Sequence, residues 1–358
     1  MSRTRLRVLL LADAGSVHVE RFTRQLKRQE CHVVTASLEE GTMHHVRLKR
    51  LGPVRSFHYL LAVPQLKGII KRFKPDIVNA HYASGYGLIG AEAIGSGGPP
   101  MVLNLWGSDI LVVPDKSPQH RRKSRIALER AAWVFGDSRF IITCAEKIGR
   151  MKHNSVLPWG IEREYLNLHR ADYAFSKPMR IIVPRSHEET YNNEFILQAL
   201  RPLVERGEVA LTFPAFGSMF EQFKTKAGKL ADWGVQLYEK TDRRRFLAFM
   251  AEHDVYLSSS RSDSSPASMI EAMALGLIPV AADIDGVKEW LSPETGFAFE
   301  QGNQDNLREV ITAIAGGGPL DEMRRRNLER VKAEAIFEDN VGEQVRIMYE
   351  LAGADFGA

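Results

Sequence analysis

The sequence predicts an α/β protein made of two doubly wound, parallel-sheet domains. Three observations lead there. Short apolar runs of strand length alternate with amphipathic stretches of helical period along the chain. Each half opens on such a run, residues 6–12 in the first and 180–184 in the second. A length of 358 residues is naturally divided between two cores.

Composition narrows the class. Hydrophobic content of 44% and charged content of 26% are those of an ordinary globular protein. No apolar run approaches the roughly 18 residues that span a bilayer. The basic opening, residues 1–7, is followed by a run too short for a signal-peptide core, which Asp13 closes. Cys31 and Cys144 are the only cysteines, and neither belongs to a C-x-x-C pair. That argues against a metal or redox site and fits a reducing cytoplasm. A net charge of +4 and a pI near 9.0 admit phosphorylated substrates or an anionic membrane surface as partners. No nucleic-acid-binding motif accompanies the charge, so nucleic acid is not expected.

In the first half, residues 6–12 form a strand and Asp13 to Ser16 a turn. Val19, Phe22 and Leu26 give a helix its apolar face, and 32–35 is the second strand. This opening is Rossmann-like, yet it lacks G-x-G-x-x-G, which disfavours a dehydrogenase. Gly15 either lets a ligand approach the backbone or makes a plain tight turn. His18 is either a structural polar residue or a ligand contact. Residues 60–73 read as an amphipathic helix broken near Pro64, and 75–82 as a strand with its exit loop. A strand at 101–105 delivers Trp106-Gly107-Ser108-Asp109. Trp106 could stack on a sugar ring or fill the core. Asp109 could cap a helix or meet an acceptor hydroxyl. The basic run 116–130 is either a solvated helix face or a contact for anionic lipid or a lipid phosphate. Residues 133–138 are a further strand, and 155–162 close the domain.

The second half begins after a polar stretch, 162–178, that reads as a linker. Strands are expected at 180–184, 210–215 and 235–238, with Arg185 following the first and Tyr238 ending the third. Arg243-Arg244-Arg245 starts a helix and reads as solvated surface. The most informative stretch is 254–289. A strand, 254–257, leads into a polar loop, and Ser265 is expected to cap a helix whose first residue is Pro266. Met269, Ile270, Met273 and Ala274 share one face, Gly276 stops the helix, and 278–282 is the next strand. Open sheets bind ligands beyond the carboxyl ends of their strands. The loop lies there, with a helix N-terminus that favours an anion. Asp263 and Glu271 frame it. A carboxylate accepts two hydrogen bonds side by side, which suits vicinal hydroxyls. The alternatives are a helix cap for Asp263 and a solvated position for Glu271. Residues 337–351 form a terminal amphipathic helix.

That stretch resembles the nucleotide-sugar site of the retaining GT-B glycosyltransferases of family GT4. Those proteins carry an acid, seven residues, a Glu, and then Ala-Met-Ala-x-Gly-x-Pro-Val. Here Asp263 and Glu271 to Val280 follow the pattern with one added Ile, and Gly286 and Glu289 match a following Gly-x-x-Glu. Residues 75–81, 106–109 and 158–162 resemble further family segments. The chain departs from the family in four places. Asp263 replaces the usual Glu, and Ser265-Pro266 replaces Phe-Gly. Trp106 replaces His, and Thr190 stands near the position of the Lys that normally follows Arg185.

The resemblance implies the GT-B fold: two Rossmann-like domains facing a cleft, with a C-terminal helix crossing back to the first. The domains would be an acceptor-binding one at 1–165, a nucleotide-sugar-binding one at 175–335 and the helix at 336–358. It implies a retaining glycosyltransferase that moves a sugar from a nucleotide diphosphate to a saccharide or lipid-linked acceptor, in cell-surface polysaccharide or glycolipid synthesis. Asp263 and Asp109 would be catalytic. Arg185, Glu271, Gly15, Ser265, Ala267, Ser268 and Tyr238 would bind the donor, and His81 and Trp106 the acceptor. Tyr191 or Asn193 could stand in for the missing Lys. No metal and no cofactor is implied, because an Arg and a helix dipole take the cation's place at the leaving group. The expected location is the cytoplasm, peripheral at the inner membrane face. Two alternatives are a nucleotide-sugar epimerase on the same fold and a non-catalytic sugar-nucleotide-binding protein.

Overall fold

The computed structural model describes residues 5–49, 55–95, 97–170, 174–227, 234–317 and 320–354, with the backbone alone for 55–60. Parts of three predicted segments lie outside these residues: the basic opening at 1–4, the linker centre at 171–173 and the tail at 355–358. The chain divides into two compact units, one of residues up to Leu157 together with Glu338 onward, the other Pro158–Phe337.

The first unit contains β1 (Arg7–Leu11), α1 (Val17–Arg28), β2 (His32–Ser37), β3 (Val46–Arg47), α2 (Arg55–Phe73), β4 (Ile77–His81), α3 (Leu88–Ile94) and β5 (Met101–Asn104). It continues through α4 (Ser108–Leu111), α5 (Pro118–Arg130), β6 (Trp133–Gly136), α6 (Arg139–Glu146) and β7 (Asn154–Val156). The strand order is β3-β2-β1-β4-β5-β6-β7, and every pairing is parallel. Strands β1, β4 and β5 are almost wholly buried, as in a parallel sheet with helices on both faces. Helix α2 is not broken at Pro64. Proline removes one backbone bond there, and buried Ala62, Leu66 and Ile69 on either side hold the helix to the core.

The second unit contains β8 (Met179–Ile182), α7 (Asn193–Glu205), β9 (Val209–Pro214), α8 (Phe220–Ala227), β10 (Val235–Tyr238), α9 (Arg243–Ala251) and β11 (Val255–Ser258). It ends with α10 (Ala267–Leu275), β12 (Ile278–Ala282), β13 (Phe297–Phe299), α11 (Gln304–Ala315) and α12 (Leu320–Glu334). The strand order is β10-β9-β8-β11-β12-β13, again parallel. Ile161 pairs with Ile336 in this unit. The start of the predicted linker is tied down: residues 163–168 form a 3-10 helix, and Arg170 Nη1 bonds Asp254 Oδ1 at 2.7 Å.

Both sheets reverse their strand order once, between β1 and β4 and between β8 and β11. At such a point adjacent loops diverge to opposite faces and leave a crevice at the carboxyl edge. The terminal helix α13 (Phe337–Leu351) belongs to the first unit from Glu338 on. Its Met348 and Tyr349 are buried, and the Tyr349 hydroxyl accepts from the Leu6 amide at 3.4 Å. Among the described residues, no helix is long and apolar enough to cross a membrane.

Candidate active site

In the second unit, the crevice beside β8 and β11 gathers most of the predicted donor residues. Arg185 follows β8 and lies across the Tyr191 ring, 4.1 Å from its centroid. Its Nη2 meets Asp263 Oδ2 at 2.7 Å, with both side chains largely buried. Burial works against the Arg185 charge, and Asp263 together with Tyr191, Tyr256 and Glu271 outweighs it, so the guanidinium stays protonated. The turn carrying Tyr191 is pinned to the loop after β11. Ser259 Oγ donates to the carbonyls of Tyr191 and Asn192 at 3.0 and 2.9 Å, and the Arg261 amide donates to that of Thr190 at 2.8 Å. Asn193 Nδ2 donates to the Arg185 carbonyl at 2.8 Å.

Asp263 does not cap α10, because its carboxylate is turned to Arg185. Ser265 does not cap it either. Pro266 occupies the N-cap position, the helix starts at Ala267, and no side chain caps it. Pro266 is therefore outside the helix, and its carbonyl takes the first helical bonds, from Met269 and Ile270. The amides of Ala267 and Ser268 precede those bonds and point out of the helix end. Gly276 ends the helix as expected, in the left-handed region at φ 91°. Ser268 Oγ lies 3.2 Å from the Tyr256 hydroxyl. A Cβ on Gly286 would come within 1.8 Å of the Asp263 carbonyl oxygen, so the two loops touch backbone to backbone.

Glu271 is not a solvated residue. It is 4% exposed on α10, and Arg243 Nη1 holds its Oε1 at 2.8 Å. Arg243 Nε is also 2.8 Å from both oxygens of buried Glu162. Nη2 approaches Glu162 Oε2 to 2.6 Å, off the line of a hydrogen bond. Arg243 is thus no part of a solvated surface. Its neighbours Arg244 and Arg245 are exposed, as the basic run suggested. Sequence reasoning missed Arg243 and Glu162 because three consecutive arginines look alike until the helix register separates them. Asp242, which caps α9, was the available signal: it makes Arg243 the first helical residue.

Tyr238 ends β10 among Phe216, Phe246 and Phe249, with ring centroids 5.6–6.0 Å away. Burial pushes its hydroxyl pKa up. Four buried polar atoms around this carboxyl edge lack a partner among the described residues: Arg185 Nε, Asn193 Oδ1, Ser265 Oγ and the Tyr238 hydroxyl. Buried polar groups are nearly always bonded, so these four are open to a ligand or ordered water.

In the first unit, β4 and β5 deliver the predicted acceptor residues, His81 and Trp106, at their carboxyl ends. Trp106 stacks on Tyr82 with centroids 5.2 Å apart and planes 18° apart. His81 and His18 flank it at 5.4 and 5.7 Å. His81 is fully buried, which lowers its pKa to about 3 and keeps it neutral. Asp109 is also buried, and its two oxygens accept from the amides of Ala83 and Trp106 at 2.7 and 3.0 Å. These two bonds tie the loop after β4 to the loop after β5. Asp109 lies within α4 and does not cap it. Gly15 has a structural reason, since a Cβ would lie 2.9 Å from the Glu40 carbonyl oxygen. Among the described residues, no cluster of three His, Cys, Asp or Glu could hold a metal ion.

Two family models match the chain: "Glycosyl transferase 4-like" over residues 7–138 and "Glycosyl transferases group 1" over 178–316. The chain is 22% identical over 312 residues to an uncharacterized glycosyltransferase of Methanocaldococcus jannaschii, covering 85% of each. It is 24% identical over 268 residues to a putative teichuronic acid biosynthesis glycosyltransferase, TuaC, of Bacillus subtilis, covering 71% of this chain and 65% of that one. The crystal structure of Anabaena HepE in complex with UDP-glucose superposes with a TM-score of 0.76 at 16% identity, covering 97% of this chain and 100% of that one. These likenesses, with the two parallel-sheet units, establish the GT-B fold.

Proposed function

Because the chain belongs to the group 1 glycosyltransferases, we propose that it is a retaining enzyme that moves a sugar from a nucleoside diphosphate to a saccharide or lipid-linked acceptor. The observation that carries the donor half is the set of partnerless buried polar atoms around Arg185 and the start of α10. Arg185 and the amides of Ala267 and Ser268 would hold the diphosphate and stabilise the charge that develops on it. Glu271 would take the ribose hydroxyls, Asp263 a sugar hydroxyl, and Tyr238 would border the base. HepE, which has UDP-glucose bound, makes a uridine-linked hexose the first donor to test.

The acceptor would bind the first unit, where Trp106 and Tyr82 offer an aromatic platform to a sugar ring. In a retaining reaction of this type the acceptor attacks from the leaving-group face, and no protein nucleophile is assigned. The teichuronic acid relative supports a role in surface-polysaccharide synthesis. Residues 116–152 carry ten Lys and Arg against three Asp and Glu, so the rest of the chain is net negative. Arg121, Arg122, Arg125, Lys147 and Arg150 of that segment are exposed. This face would dock on an anionic membrane from the cytoplasmic side.

The test is a thermal-shift screen against UDP-, GDP-, ADP-, dTDP- and CMP-linked sugars. One nucleotide should raise the Tm by about 5–10 °C at a hundredfold excess over its Kd. Glu271→Ala should abolish the shift. No shift with any donor would overturn the donor site.

A further inference from the structure

We infer that Arg243 is a positioning residue for the nucleoside: it clamps one oxygen of Glu271 and leaves the other aimed at the ribose hydroxyls. The inference rests on the donor reading above and assigns a role to a residue outside the predicted site.

The geometry has three parts. Glu271 sits on an almost fully buried helix, between Ile270 and Ala272, which are both 0% exposed. A carboxylate in such surroundings needs a counter-charge, and Arg243 Nη1 supplies it at 2.8 Å. The ion pair is closest at Oε1, and Oε2 has no hydrogen bond among the described residues. Glu162 fixes Arg243 in turn through Nε, so the guanidinium is not free to follow Glu271. Both carboxylates hold Arg243 protonated against the effect of its burial. Two carboxylates share one cation, and the cluster keeps a net negative charge. Vicinal hydroxyls, which donate without adding charge, suit an oxygen left over in such a cluster.

A planar guanidinium can face both carboxylates at once, and an ammonium cannot impose the same angle. Arg243 would therefore set the direction of Glu271 Oε2 as well as its charge. Discrimination of ribose from 2′-deoxyribose depends on that direction, whereas the base and diphosphate contacts do not.

The experiment measures the affinity of the full chain for UDP, GDP, ADP and CDP and for their 2′-deoxy forms by calorimetry. The wild type should prefer the ribose form of one nucleotide by roughly tenfold to a hundredfold, as a bond to a charged group would give. Arg243→Gln should bring that preference to about twofold while binding the 2′-deoxy form almost as the wild type does. Arg243→Lys, which keeps the charge and protects the fold, should also lose most of the preference. The exposed neighbour variant Arg244→Gln should keep it. Equal weakening of both forms, with the preference intact in both Arg243 variants, would overturn the positioning role and leave the donor reading standing. Binding without ribose preference in the wild type would remove Glu271 from the ribose and the inference with it. Absence of binding by all eight probes would overturn the donor reading itself.

Discussion

Arg185 and Asp263 are each other's counter-ions, 2.7 Å apart with side chains 16% and 13% exposed. One was expected on the diphosphate and the other on the sugar. A diphosphate that takes Arg185 Nη2 as well as the unpartnered Nε would compete with Asp263, and displacing it would free that carboxylate for the sugar. Asp263→Asn should tighten the binding of nucleoside diphosphate alone by about threefold to tenfold, measured by calorimetry. The same variant should lower kcat/KM for transfer by roughly a hundredfold. Weaker diphosphate binding would show that Asp263 orders Arg185 for the ligand instead of competing with it.

Gly286 meets the Asp263 carbonyl oxygen so closely that a Cβ would lie at 1.8 Å. Gly286→Ala must push the two loops apart and should destabilise the second unit by about 2–4 kcal/mol in urea unfolding. Gly68, inside α2, has nothing within 4 Å of its Cβ position. Gly68→Ala should stabilise the first unit by ~0.5–1 kcal/mol through helix propensity alone. The opposite signs separate steric need from chance use of glycine.

Burial holds His81 at a pKa of about 3, below its ordinary 6.5. Between those values the unfolded chain takes up a proton that the folded chain refuses. The stability His81 contributes is complete above 6.5 and falls as pH drops, by up to ~1.4 kcal/mol per pH unit. Urea titrations of the wild type and His81→Gln at pH 7, 6 and 5 should differ in slope accordingly. A parallel pair of curves would mean that His81 takes up its proton equally in the folded and unfolded chains.

Asp109 acts in the opposite direction. Burial raises its pKa above 3.8 although backbone amides bond the carboxylate. Its contribution is fully present below 3.8 and is lost as pH rises through the raised value. The stability of the wild type relative to Asp109→Asn should increase as pH falls from 7 to 4. Asp109→Ala should leave the amides of Ala83 and Trp106 unpaired and cost about 1–3 kcal/mol at any pH in that range.

Periodicity is a local property, and it made most strands and helices readable in order. Residues 278–282 read as a buried strand because the apolar run is short and lies between a Gly stop and a polar loop. The end of α10 was legible because Gly276 alone takes a left-handed conformation there cheaply. Its beginning was misread, since Ser265 and Pro266 look like a cap and a first turn until the chain's direction is known. The same limit hid the continuity of α2 through Pro64, which packing on both sides sustains against a local preference.

The sequence by itself determined two parallel-sheet units and the placing of an acid and a Glu on either side of the loop that follows β11. Only the tertiary structure decided what each charge faces. Arg243 lies 81 residues from Glu162, and Arg185 lies 78 from Asp263. Charge attraction acts through space, and residues so far apart meet only after the sheets have fixed where their loops end. Asp109 was expected at the substrate, and the structure adds that its carboxylate accepts from the amides of two loops; Arg243 was expected on the surface, and it pairs with Glu162 and Glu271 instead.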